Sequence, residues 1–170
     1  MGAVSQAIRL SEEVVAGRMA QIGPDHPDTL AAQLNLGNAL AESGDLGEAR
    51  TRLTTAAYGY ANALGPRHSR TLRALMNLAV VIKQCGELEL ARGLLAEITD
   101  EYEEMYGLAH VSTLRARVNL AGCLCSMGRH TDARDEYVAV LEHSLPAHPW
   151  FEEATMLASQ LDGESKMIGD

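Results

Sequence analysis

Aromatic residues are scarce in this chain, 4% of 170 positions, with one Trp and one Phe. Sheets favour aromatic and β-branched side chains, so a composition dominated by Ala and Leu points to close-packed helices. Cysteine is rarer still: three residues, an odd number, with no CxxC pair. That excludes a disulfide framework and suits a reducing compartment, so a cytoplasmic location is expected. Positive charge is in deficit, 14 Lys+Arg against 23 Asp+Glu, for a formal net charge of -9. No overall field exists to hold a nucleic-acid backbone, so nucleic acid is not an expected partner. Long apolar runs are absent too. The stretch Leu78 to Ile82 is far too short to cross a bilayer. The opening residues MGAVSQAIRLSEE carry neither the basic nor the apolar stretch of a secretory leader. No membrane partner is expected. The length fits one domain, 1–170, with a buried core.

What the chain has is a repeat. GPDHPDTL begins at Gly23, GPRHSRTL at Gly65 and GLAHVSTL at Gly107, each 42 residues after the last. The register holds through the unit, with Asn35-Leu36, Asn77-Leu78 and Asn119-Leu120 in step. Gly37, Ala79 and Ala121 follow, then Gly44, Gly86 and Gly128, then Ala49-Arg50, Ala91-Arg92 and Ala133-Arg134. The units are 23–64, 65–106 and 107–147. A shortened fourth copy starts at His148-Pro149, 38 residues after His110. From it, 148–170 is expected to form a partial repeat or closing helix, starting at Trp150, and a frayed tail. Residues 1–22 align with the second half of a unit, as an orphan second helix of an excised piece or as a cap.

Each unit reads as a helical hairpin. Leu30, Leu34, Gly37 and Leu40 recur at three and four residues, the spacing of one helix face. Thr29, Thr71 and Thr113 stand just ahead of that face, and Asp28, Ser69 and Ser112 are the expected caps of the first turn. Gly44 ends the first helix, because a left-handed C-terminal position costs Gly nothing. Leu46, Ala49, Leu53 and Ala56 mark a second helix that runs to Gly65-Pro66. The small residues Gly37, Ala79 and Ala121, and Ala49, Ala91 and Ala133, let the two helices approach closely.

The Gly and Ala landmarks, the GxxHPxTL lead-in and the LNLGNAL first helix resemble the tetratricopeptide repeat, in its 42-residue kinesin-light-chain type. The resemblance runs from residue 23 to residue 150. It implies an all-α fold, a right-handed α-solenoid of stacked helical hairpins with about eight helices. It also implies a scaffold role, since this family serves many ligands. Similar arrays occur at the C-termini of bacterial signal-transduction ATPases.

Stacked hairpins put first helices on a concave side. Counted from Leu30, Leu72 and Leu114, the first, fourth or fifth, eighth and eleventh positions are expected in the core. The second, sixth and ninth then turn to the groove. The second holds Ala31, Arg73 and Arg115; the sixth Asn35, Asn77 and Asn119; the ninth Asn38, Val80 and Gly122. Asn offers one acceptor and two donors, the complement of a peptide group, and is a mediocre helix former. First helices about 10–12 Å apart would meet an extended chain, at about 3.3 Å per residue, roughly every third residue. The resemblance implies the same role, since related repeats hold peptide backbones with Asn at this position. Arg73 and Arg115 suit an acidic side chain or a C-terminal carboxylate. The expected peptide-binding residues are therefore Asn35, Asn38, Arg73, Asn77, Arg115 and Asn119. The structural alternative has the Asn residues bonding to a neighbouring unit's backbone and the arginines pairing with nearby carboxylates, which is worth little at a surface. Ala31, Val80 and Gly122 depart from a full carboxylate clamp, which argues against a chaperone-tail ligand.

Other chemistry is thin. His26, His68 and His110 share one repeat position, too far apart for one metal ion, and read as lead-in residues of the helix start. Cys123 and Cys125 face different ways on a helix and read as packing residues, with Cys85 near a turn. Asp100, Glu101, Glu103 and Glu104 read as a solvated convex face. No GxxxxGK[ST], GxSxG or HExxH pattern is present, and Glu42 has no evident partner, so neither an enzyme nor a cofactor is expected. The leading expectation is a protein–protein interaction scaffold holding a peptide in its groove. A sensor module of a larger bacterial signal-transduction ATPase is the alternative, and a small-molecule site around Glu42 and Cys125 ranks below both. Self-association through the bare N-terminal helix is a further expectation.

Overall fold

A computed structural model of the chain describes residues 2–144 and 151–167. The expected lead-in at His148-Pro149 and the start at Trp150 lie outside the described residues. Every regular element among those described is a helix: α1 (Gly2–Ile22), α2 (Pro27–Ser43), α3 (Leu46–Leu64), α4 (Ser69–Gln84), α5 (Leu88–Tyr106), α6 (Val111–Ser126), α7 (His130–His143) and α8 (Phe151–Met167). None is long and apolar enough to cross a membrane. The chain divides into two compact units, Met1–Glu87 and Leu88–Asp170. In the first, α1 packs on α2, α2 on α3 and α3 on α4, and α2 also touches α4. In the second, α5 packs on α6, α6 on α7 and α7 on α8.

The lead-in motif is a capping device. His26, His68 and His110 are the N-caps of α2, α4 and α6, each in an extended backbone conformation. Each Nδ1 accepts a backbone N–H two residues on, from Asp28 at 3.1 Å, Arg70 at 3.1 Å and Ser112 at 3.2 Å. This corrects the expectation of Asp28, Ser69 and Ser112 as caps, since all three lie inside their helices. A ring nitrogen reaches the same orphan donors that a Ser or Asp oxygen would. Thr29, Thr71 and Thr113 are fully buried, and their Oγ1 donates to the carbonyls of Gly23 at 2.7 Å, Gly65 at 2.8 Å and Gly107 at 2.9 Å. Those glycines have φ of 89°, 97° and 83°, the left-handed turn that brings their carbonyls within reach. Gly44, Gly86 and Gly128 also have positive φ, so a left-handed Gly recurs every 21 residues, at half the repeat period. Cys85 caps α4 one residue before Gly86.

The first-type helices α2 and α6 are each sandwiched between two second-type helices, and this explains more burial than the sequence pattern announced. The expected stripe of Leu30, Leu34, Gly37 and Leu40 is buried. So is a second one at the third and seventh positions, Ala32 and Leu36, matched by Ala116 and Leu120 in α6. Between α2 and α3 the approach is close. A Cβ built on Gly37 would sit 2.7 Å from Leu53 Cγ, and one on Gly59 would collide with Leu30 Cδ2. Tyr60, wholly buried, donates its hydroxyl to the Pro27 carbonyl at 3.1 Å and ties the end of α3 to the start of α2.

The glycine at this crossing has a counterpart without a neighbour. Gly17 holds the repeat position of Gly59, yet nothing lies within 4 Å of its Cβ direction. Gly59→Ala is expected to lower stability by about 1 kcal/mol or more through overpacking. Gly17→Ala is expected to raise it by about 0.5–1 kcal/mol through helix propensity. Thermal and urea unfolding at low protein concentration, followed by far-UV circular dichroism, checks the opposite signs.

Candidate functional site

In the first unit, α2 and α4 carry four of the six expected binding residues. Asn35 is exposed on α2 and Asn38, one turn on, is half-buried. On α4, Arg73 is exposed and Asn77, four residues later on the same face, is half-buried. The structure brings two of them into contact: Asn77 Nδ2 donates to Asn38 Oδ1 at 3.0 Å. The amide rung joins the sixth position of one unit to the ninth position of the unit before, side chain to side chain. The structural alternative anticipated a bond to backbone. The ninth positions of α4 and α6 hold Val80 and Gly122, which have no side-chain acceptor, so sequence alone limits this rung to Asn38.

Each amide keeps further capacity after the rung, because Asn has two N–H groups and an oxygen with two lone pairs. Asn77 spends one N–H, and Asn38 one lone pair. The rung therefore fixes both side chains and leaves polar edges for another group.

Arg73 has no hydrogen bond or ion pair among the described residues. Arg70, one turn earlier, is likewise exposed and adds a second cation that the sequence pattern did not single out. Their charges are felt by the buried Tyr60 hydroxyl. Burial raises its pKa above the ordinary phenol value, while the charges of Arg70 and Arg73 pull it partly back. Tyr60 thus stays neutral and keeps donating to Pro27.

In the second unit, Arg115 and Asn119 stand four residues apart on α6, both half-buried. Their spacing repeats that of Arg73 and Asn77. Near them sits chemistry the sequence reading missed. Arg117 Nη1 donates to Glu136 Oε2 of α7 at 2.6 Å, and Nη2 to Glu103 of α5. Its side chain is 16% exposed, so this ion cluster clamps α6 between its two neighbours. Glu103 is therefore not part of a solvated face, a correction to the acidic-run reading; Asp100 and Glu104 are exposed as expected. The first unit has a weaker polar contact at the same repeat positions. Gln33 Nε2 points to Met19 Sδ at 3.9 Å, and Arg52 Nη1 donates to Gln33 Oε1 at 3.4 Å. The signal was available as an apolar stripe interrupted at the fourth position by Gln33 and Arg117.

The remaining candidates do not converge. Glu42 is exposed and Cys125 is half-buried. All three cysteines are free, with Cys85 exposed and Cys123 buried. Cys123 Sγ donates to the Leu88 carbonyl at 3.4 Å, a packing role. Among the described residues no three His, Cys, Asp or Glu side chains gather as a metal cluster.

A family model described as the tetratricopeptide repeat matches residues 1–62 and 70–145. No curated protein matches the chain significantly. Among solved structures, the nearly identical TPR-like repeats of a protein assigned as a kinesin light chain in Podosopora anserina align with a TM-score of 0.81 at 24% identity, over 98% of this chain and 82% of that one. BtubC (BKLC) from P. vanneervenii aligns with a TM-score of 0.83 at 16% identity, over 97% of this chain and 67% of that one. MamA AMB-1 aligns at 0.61 and 20% identity, over 98% and 83%. At these identities the likeness is one of fold.

The amide rung has a measurable signature. Asn38→Ala and Asn77→Ala are each expected to lower stability, and the double variant by less than the sum. A coupling of about 0.5–1.5 kcal/mol in a double-mutant cycle of urea unfolding is the expected value. Simple additivity would mean that the two amides do not bond.

Proposed function

The chain belongs to the tetratricopeptide repeat family, and on that footing we propose that it is an interaction scaffold whose α2–α4 face holds an extended peptide with an acidic group. The observation that carries this reading is Arg73. It is an exposed guanidinium without an ion-pair partner among the described residues, in a chain of net charge -9, one turn from an anchored amide. A surface arginine amid excess carboxylates readily finds a partner within its own chain; one held clear of them is placed for an outside anion. Asn77 and Asn38 supply the neutral half of the site, donors and acceptors for a peptide backbone beside the charge. Asn35 widens it along α2. Arg115 and Asn119 repeat that spacing on α6, but Arg115 is half-buried and has interactions of its own, so Arg73 alone carries the reading. A C-terminal carboxylate or an Asp or Glu side chain fits the guanidinium fork equally, so the ligand is a peptide or a partner's unstructured segment. The three free thiols, one of them exposed, support a reducing, cytoplasmic setting.

A panel of random peptides with either a free or an amidated C-terminus tests the proposal. Binding to the unaltered chain is compared with binding to Arg73→Ala, Asn77→Ala and Arg115→Ala by fluorescence anisotropy. Arg73→Ala is expected to weaken selected peptides at least about tenfold, or about 1.4 kcal/mol. The loss should fall selectively on acidic or free-carboxylate peptides. Equal affinity for the same peptides, with unchanged circular dichroism, would remove the α2–α4 face from the function.

A further inference from the structure

A surface helix carries its charges on the side turned to water. α3 does not. Every exposed residue of α3 is uncharged: Gly47, Thr51, Thr55, Tyr58, Asn62 and Ala63. The first five recur at four, four, three and four residues and so form one continuous face. It lies opposite the buried side of α3, which packs on α2 and α4 through residues such as Leu53 and Ala57. The same positions of α5 hold Glu89, Gly93, Glu97, Asp100 and Glu104. Those of α1 include Arg9 and Glu13, and those of α7 include Asp135 and Glu142. The charges that flank the face of α3 are already paired within the chain, Arg52 with Glu48 at 2.7 Å and Arg50 with Glu87.

Tyr58 stands out from this face. It is 67% exposed, more than any other large apolar side chain among the described residues. Thr51 and Thr55 donate their hydroxyls one turn back along the helix, to the carbonyls of Gly47 at 3.1 Å and Thr51 at 3.0 Å. These donors are satisfied inside the helix, so covering them with another surface forfeits no hydrogen bond. The face is also graded in size. Gly47 and Thr51 make its first half low, and Tyr58 and Asn62 make its second half high.

We propose that α3 packs antiparallel on α3 of a second copy of this chain, about a two-fold axis between Thr54 and Thr55. Tyr58 then lies over Thr51 of the second copy, Asn62 over Gly47, and Thr55 beside Thr55. Each large side chain meets a small one, and the axis repeats both pairings. A parallel arrangement would set Tyr58 on Tyr58 and leave a gap at Gly47. Two arguments make the occupant a second copy. Copies of a chain with net charge -9 repel each other, and on this face two copies meet without bringing like charges together. The face is also complementary to itself, the condition for an isologous contact. A projecting Tyr with no charged residue around it has the composition of an interface centre.

The two-fold closes the contact, so assembly stops at the dimer. One helix face on another is at the small end of interface sizes, so association is weak and concentration-dependent. The residues lie on a different helix from those of the peptide site, and the proposal stands without that reading.

Sedimentation velocity from low to several hundred micromolar is the first test. The mass is expected to rise from one chain to two and no further. Tyr58→Arg should weaken the dimer at least about tenfold, as loss of a central aromatic does, with circular dichroism unchanged. Cross-linking fixes the register. In a Cys85→Ser background, T55C chains should form a disulfide-linked dimer by themselves. G47C chains should not, because the two copies of that position lie about 20 Å apart along the paired helices. Mixed with N62C chains, they should link. A monomer at every concentration would overturn the proposal. So would a dimer that Tyr58→Arg leaves intact, which places the contact on another face. G47C chains that link to each other as readily as to N62C chains would overturn it too, because that result makes the helices parallel.

Discussion

A first-type helix in this chain is held on two sides at once, and most of the other features follow from that constraint. α2 lies between α1 and α3, and α6 between α5 and α7. A helix gripped this way buries two stripes that together take most of its circumference. Residues on both must be small or well fitted, because interiors are close-packed and a methylene too many forces strain. Gly37 facing Leu53 and Gly59 beneath Leu30 are where α2 and α3 come nearest. The caps serve the same end. His26 and Thr29 fix the first turn of α2, and Tyr60 ties the far end of α3 to it, so the hairpin closes at its base.

Double-sided burial also sorts the polar residues. At the edge between the stripes, the fourth position touches both neighbouring helices. Gln33 and Arg117 occupy it and reach out on either side, Gln33 to Met19 and Arg52, Arg117 to Glu103 and Glu136. A half-buried arginine with carboxylates from two helices is more a specification of alignment than a gain in stability, since desolvation offsets much of the attraction. The narrow face that remains carries the second, sixth and ninth positions.

The repeat length, the helix pairs and the close-approach residues were readable in the sequence, because packing leaves a periodic mark. The 42-residue register of Gly37, Ala79 and Ala121 named the tight crossing correctly, and the histidines were rightly read as lead-in residues. The capping role of those histidines was not readable, because a His at a helix start competes in expectation with the commoner Ser and Asp beside it. The second buried stripe was missed for a different reason. Ala32 and Leu36 fall off the single amphipathic face that a two-helix unit needs by itself, and only the preceding helix gives them a partner. The same holds for Glu103, whose place in an acidic run hid its pairing with Arg117. Long-range partners leave no local period.

The amide row shows why a structural and a binding role need not compete. A lone exposed Asn at a sixth position samples several rotamers, and a ligand that needs one of them must supply the ordering cost, about 0.5–1.5 kcal/mol for a flexible side chain. The bond from Asn77 to Asn38 removes that freedom beforehand, at the expense of one N–H and one lone pair. Ala or Gln would serve a helix better. Ala has no amide, and Gln adds a torsion that loosens the rung. Asn at this position is thus the residue that can be held by a neighbour and still present an amide edge. Under the proposed reading the rung is what makes the face ready to bind, and Arg73, four residues before Asn77, adds the charge that selects among peptides.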